Sequence, residues 1–292
     1  MRSAFSHVHP AVAFGYYIGL IILGMTLLHP IILATSVLFL FLLNILQGNG
    51  AIMKKTIVAS LLLGMMIAVI NPLLTHRGST ILFYFLDNPI TLEAVTYGYT
   101  MALSFFVIAL AFVSYNQMIT SHKFLYLFSR ISPKMALLTM IAIRFVPLFI
   151  RRLRQIGLVQ QTKGVDIGGG PLKYRVQSGM KLLSVLLVCS LEEALQTADS
   201  MQARGFGVKK RSTYIRYSMN YRDWAIAASL LVLFCVCAAG FINGGGVLVI
   251  YPALEAMAFD AKDWVAFVSF ILYINVPLLL EGREWIWWHI QR

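Results

Sequence analysis

Long apolar runs alternate with short polar breaks along this chain, and the breaks fall at residues that end helices. Residues 11–28 and 31–46 are two such runs, split at His29-Pro30, which predicts a tight helical hairpin. A third run, 56–70, stops at Asn71-Pro72, and three more cover 91–114, 224–242 and 264–280. The pattern predicts an all-α polytopic membrane protein with about six transmembrane helices, the first three near the short end for a hydrocarbon core of about 30 Å. Apart from Glu93 at the outer end of the fourth, these runs hold no Asp, Glu, Lys or Arg. Ion-coupled carriers usually place ionisable groups inside the membrane. The expectation is therefore a chain that does not drive transport by itself.

Between the fourth and fifth runs the pattern changes. Stretches 135–150 and 182–191 are apolar, but Arg144 and Pro147 interrupt the first, while Lys181, Glu192 and Glu193 bracket the second. Such segments read as amphipathic helices lying on the membrane or packed on each other, not as spans. The expected organisation is a membrane domain over 1–114 with four spans, a basic cytoplasmic and interfacial helical region over 115–222, and two further spans with a short tail over 223–292.

Composition agrees. Of 292 residues, 59% are hydrophobic and 12% charged, against roughly 25% charged in a soluble domain. The net charge of +12 raises nucleic acid as a partner, but the distribution argues for a bilayer instead. Of the 24 Lys and Arg, all except Arg2, Lys54, Lys55, Arg77, Lys262, Arg283 and Arg292 fall between 115 and 222. With cations gathered on one side, six spans place both termini and every basic loop in the cytoplasm. The clusters Arg151, Arg152, Arg154 and Lys209, Lys210, Arg211 suit anionic headgroups. The first ten residues lack the pattern of a cleavable signal.

Chemistry-bearing motifs are sparse. Cys189, Cys235 and Cys237 have no framework or metal spacing, and the six histidines are scattered. There is no HExxH, no Ser–His–Asp arrangement and no GxxxxGK[ST]. Residues Asp166 to Pro171 (DIGGGP) form a flexible connector. No catalytic site, metal or cofactor is expected.

Two endings rhyme: Gln161-Thr162-Lys163-Gly164 and Gln202-Ala203-Arg204-Gly205. Each closes a helical pattern with a small residue, a long cation and Gly. Two readings fit. A Gly after a periodic run is the usual helix stop, and a cation suits the negative helix end. Alternatively, two matched cationic tips form a two-pronged docking device for acidic surfaces.

With those residues the chain resembles the transmembrane T component of energy-coupling factor (ECF) transporters, the family that includes cobalt-transport permeases. The likeness is carried by Asn71-Pro72, His76-Arg77-Gly78, Asn88-Pro89-Ile90-Thr91, the 144–154 region and Ser200 to Gly205 (SMQARG). It implies a non-catalytic, energy-coupling subunit in a prokaryotic plasma membrane. Its partners would be two ATP-binding-cassette (ABC) ATPase subunits and a membrane-embedded, substrate-binding S component, for vitamin or transition-metal uptake. It also implies that Ala203-Arg204-Gly205 and Thr162-Lys163-Gly164 end cytoplasmic coupling helices and dock on the ATPases. Lys163 departs from the family's arginine. The S component would meet the apolar faces of 135–150 and 177–195, a region where Met135, Met140, Met180 and Met201 fit that role. The alternative is a membrane scaffold whose basic insert binds anionic lipid or another partner. The cargo stays open.

Overall fold

The computed structural model describes residues 4–48, 50–75, 77–85, 88–162, 171–208, 217–251, 254–255 and 259–290. The chain divides into two compact units, 1–124 with 217–292, and 125–216. All six predicted runs are helical.

In the first unit, helices α1 (Pro10–Thr26) and α2 (Pro30–Leu46) each start with Pro at the first position, where a missing N–H leaves nothing unpaired. Each has 17 residues, about 25 Å of rise. Helix α3 (Gly50–Leu74) runs through Asn71-Pro72 rather than stopping there. Pro72 frees the Ala68 carbonyl within the last turns, and Gly98 of α4 (Leu92–Met118) packs on that point. A Cβ at Gly98 would lie 3.1 Å from Ala68 O and 3.2 Å from Asn71 Cβ. Before α4 comes a hairpin, β1 (Ile81–Phe85) antiparallel to β2 (Asn88–Thr91), with Phe83 opposite Ile90. Helix α5 (Ser121–Ile131) leads into the second unit.

The second unit holds α6 (Pro133–Thr162) and α7 (Leu172–Ala203). The first unit then resumes with α8 (Tyr221–Ile242) and α9 (Ala261–Ile290). Asp223 caps α8 by accepting from Asn220 N at 3.2 Å. Asp263 does the same for α9, accepting from Asp260 N at 3.1 Å and Gly246 N at 2.7 Å.

The core of the first unit is centred on α1. Tyr16, Tyr17 and Leu20 are buried with Leu40 and Leu43 of α2, Val107 and Leu110 of α4, and Phe270 and Ile274 of α9. The outside is apolar too: on α3, Val58, Leu62 and Met65 are 67%, 66% and 66% exposed. Apolar side chains turned outward from long helices suit hydrocarbon, not water. Helices α3, α4, α6, α8 and α9 are long and apolar enough to cross a membrane.

Three further expectations are corrected. Arg144 and Pro147 do not interrupt α6, which is one 30-residue helix and qualifies as a span by length and composition. One proline removes one rung of a long ladder, and both flanks remain helix-forming. Stretch 182–191 is the middle of the 32-residue α7, not a short segment. The spans are also not empty of acids: α9 continues past 280, so Glu281 lies within it. Glu281 is buried, and its Oε1 accepts from Gln47 Nε2 at 3.3 Å. Gln47 Oε1 in turn accepts from Ser114 Oγ at 2.7 Å, and Ser114 Oγ lies 2.6 Å from Tyr17 Oη.

Candidate docking site

Helix α7 stops because its sequence supplies a left-handed residue at the required place. Ala203 is the last helical residue, Arg204 is the C-cap, and Gly205 follows with φ +76°. Phe206 N donates to Met201 O at 2.9 Å, and Gly205 N to Gln202 O at 2.8 Å. This pair of bonds is the Schellman closure, which satisfies carbonyls that would otherwise be orphaned. An L side chain in the left-handed region costs roughly 1–2 kcal/mol, so glycine is needed here for its backbone. It is not needed for space, since a Cβ at Gly205 meets nothing within 4 Å.

The helix-stop reading is thus correct for the second ending, and it does not compete with docking. The same closure presents Arg204 at the tip of a long helix with open space around it. Every residue from Gln202 to Val208 is exposed. Gly207 also has positive φ, at +92°. Between and after the two glycines, Phe206 and Val208 are 50% and 79% exposed, so apolar surface follows the cation in the chain. Sequence reasoning passed over these two residues. The alternation Gly205-Phe206-Gly207-Val208 was the available signal, because apolar residues between turn-forming glycines are seldom core.

The first ending is described as far as Thr162, the last residue of α6; Lys163 and Gly164 lie outside the described residues. Thr162 is exposed, and its Oγ1 donates to Val159 O at 2.7 Å. Helices α6 and α7 are tied by Arg152. Its Nη2 lies 3.2 Å from Glu193 Oε2, and its Nη1 donates to Cys189 O at 3.4 Å. Arg152 is therefore a strut between the helices, not a free headgroup cation as the sequence suggested. Met135, Met140 and Met180 are 60%, 51% and 62% exposed, so this apolar surface is open.

In the first unit, two of the segments that carried the resemblance come together. Thr91 Oγ1 donates to Arg77 O at 3.0 Å and accepts from Ala94 N at 3.3 Å, capping α4. The buried carboxylate of Glu93 accepts from Ser79 N, Ser79 Oγ and Thr80 N at 3.2, 3.1 and 3.1 Å. Gly78, with φ +147°, lies against both; a Cβ there would sit 2.8 Å from Thr91 Oγ1 and 2.9 Å from Glu93 Cδ. Glu93 is thereby a latch for loop 77–80, spent on local hydrogen bonds. Among the described residues no group of three His, Cys, Asp or Glu side chains is placed to share a metal ion.

Residues 5–215 match the family described as "CbiQ: Cobalt transport protein". Among curated proteins, the chain is similar to energy-coupling factor transporter transmembrane protein EcfT of Bacillus subtilis, 34% identical over 101 residues, and to EcfT of Lacticaseibacillus paracasei, 36% identical over 101 residues. Each of these matches covers 34% of this chain and 38% of the relative's length. A longer match, to EcfT of Macrococcus caseolyticus, is 26% identical over 229 residues, covering 72% of this chain and 81% of the relative.

Proposed function

The chain belongs to the CbiQ cobalt transport protein family, and on that premise we propose that it is the T component of an ECF-type ABC importer. It passes ATP-driven motion of two partner ATPases to a membrane-embedded S component, for uptake of a vitamin or a transition metal. ATP hydrolysis belongs to the partners, and the chain itself is non-catalytic. It sits in a prokaryotic plasma membrane with its termini and the coupling tips at the ends of α6 and α7 in the cytoplasm. The observation that carries this reading is the exposed C-terminus of α7, where a Schellman closure ends the helix at Arg204 and exposed Phe206 and Val208 follow. A planar guanidinium can clamp a carboxylate with two hydrogen bonds, and the apolar neighbours exclude water around that pair.

Ala203, Arg204 and Gly205 form the principal docking prong. Thr162, Lys163 and Gly164 form the second, where an ammonium point charge makes the weaker anchor. The ATPases closing on ATP draw the two prongs together and shift α6 and α7. The open apolar faces of those helices, with Met135, Met140 and Met180, repack against the S component.

Co-expression with two ABC-type ATPase subunits tests the reading. Arg204→Glu is expected to abolish ATPase capture, while Lys209→Gln with Lys210→Gln leaves it largely intact. Truncating a buried, hydrogen-bonded charge pair costs about 2–5 kcal/mol, because the partner is left stranded. Graded, equal losses from both variants point instead to a scaffold whose basic region binds lipid.

A further inference from the structure

Helices α1 and α8 do not close on each other along their whole length. Between them runs an apolar groove of about 370 Å³ that reaches from Ala11 and Met219 at one end to Ile22 and Phe234 at the other. That volume is within the range of pockets that hold drug-sized ligands. Its α1 wall is low because Ala11 and Gly15 carry little or no side chain, and a Cβ at Gly15 would touch nothing within 4 Å. Its floor is firm: Gly19 lies directly beneath the Tyr273 hydroxyl, which donates to Tyr16 O at 3.0 Å. The groove therefore cannot collapse by a rotamer change of its floor.

We infer that this groove holds one acyl chain of a bilayer phospholipid. Three observations select that occupant. The groove is continuous with the lipid-facing surface, because its lining residues Ile18, Ile22 and Leu231 are 42%, 44% and 67% exposed to the outside. Its length also fits: Ala11 and Ile22 are separated by about 16 Å of helix rise, close to half of a hydrocarbon core of about 30 Å. A partner transmembrane helix needs a seat along the whole core, whereas a lipid chain needs one leaflet.

The third observation is the chemistry at the end where α1 and α8 begin. Tyr221 and Trp224, 91% and 62% exposed, stand in the first turns of α8, and such aromatics mark headgroup level. An empty groove of this size would leave its lining without contacts on one side. A chain that fills it becomes part of the α1–α8–α9 packing.

The test uses the full-length chain in nanodiscs containing phosphatidylglycerol with a photoreactive diazirine midway along one acyl chain. Adducts mapped by mass spectrometry are expected in 11–22 and 227–234, and excess unlabelled phosphatidylglycerol should displace them while labelling of the α3 face around Leu62 and Met65 persists. Gly15→Leu fills the groove and should remove the groove adducts alone. Labelling that is even over all outward faces, or that competes equally at α3, overturns the inference, and this arm needs no variant to fold. Crosslinks from the groove to a co-expressed membrane partner in place of lipid also overturn it. None of these readouts depends on ATPase association, so the T-component reading stands or falls separately.

Discussion

Tyr16 of α1 and Tyr273 of α9 each donate to the other's helix backbone. Tyr16 Oη donates to Ile274 O at 3.2 Å, and Tyr273 Oη donates to Tyr16 O at 3.0 Å. Their rings stack with centroids 5.4 Å apart and planes 16° from parallel. Both are almost fully buried, so the pair combines aromatic packing with two backbone ties between helices distant in sequence.

The ring matters more here than the hydroxyl. A side-chain hydrogen bond between membrane helices averages about 0.6 kcal/mol, while truncating a buried aromatic to Ala costs about 3–5 kcal/mol. Tyr16→Phe should lower the melting temperature in detergent only slightly, and Tyr16→Ala should lower it severely. Equal losses from the two would mean that the hydroxyl, not the ring, secures the contact.

At the tip of α7, shape and charge separate cleanly. Gly205→Ala forces an L residue into φ +76°, at a cost of roughly 1–2 kcal/mol confined to the last turn. Faster amide exchange over 200–206 is expected, with the global melting point unchanged. Gly205→Asn should be milder, since Asn tolerates this conformation better. Arg204→Gln should leave exchange unchanged and still weaken ATPase capture. Loss of capture accompanied by the same fraying in Arg204→Gln would assign the arginine a capping role only.

The Glu93 latch predicts a steep response to small changes. Gly78→Ala places a methyl against Thr91 Oγ1 and Glu93 in a backbone region that only glycine visits comfortably. Glu93→Gln weakens a charged acceptor of three hydrogen bonds, and stranded donors cost about 1–3 kcal/mol. Both variants should open loop 77–80 to protease while leaving α1–α2 packing intact. Wild-type protection of that loop in either variant would contradict the latch.

His29 makes stability depend on pH. The residue is buried before α2, its Nδ1 has no partner among the described residues, and its ring lies 4.9 Å from that of Phe259. Burial pushes its pKa below the ordinary imidazole value, and the nearby Asp263 carboxylate only partly offsets this. The folded state then binds fewer protons than the unfolded state, so stability rises with pH. His29 contributes fully above the unfolded value of about 6.5 and loses its contribution as pH falls from there through the lower folded value. Melting points measured from pH 8 to pH 5 should show this drop, and His29→Phe should flatten it. An unchanged slope in the variant would place the pH dependence elsewhere.

The resemblance and the helix stops were legible because they are local. Ala203-Arg204-Gly205 is contiguous, and a glycine after a periodic run announces a C-cap without reference to the rest of the chain. Glu281 was misread for the opposite reason. The apolar run ends at 280, but α9 continues through Glu281, which is buried and finds a partner in Gln47, 234 residues away. Arg152 likewise reads as one of three clustered cations until the fold brings Glu193 to it.

By itself the sequence determined the class of molecule, the positions and order of six apolar runs that form helices, the gathering of cations between 115 and 222, and where α7 ends. Those properties follow from periodicity, composition and backbone preference, which act over a few residues. Tertiary structure alone decided that Pro72 and Pro147 are tolerated inside helices, that Gly78 and Glu93 form one latch, and that Tyr16 and Tyr273 tie α1 to α9. It also decided that a groove opens beside Gly15. Each of these depends on which surfaces meet across long stretches of chain, and packing of that kind leaves no periodic mark on the residues that make it.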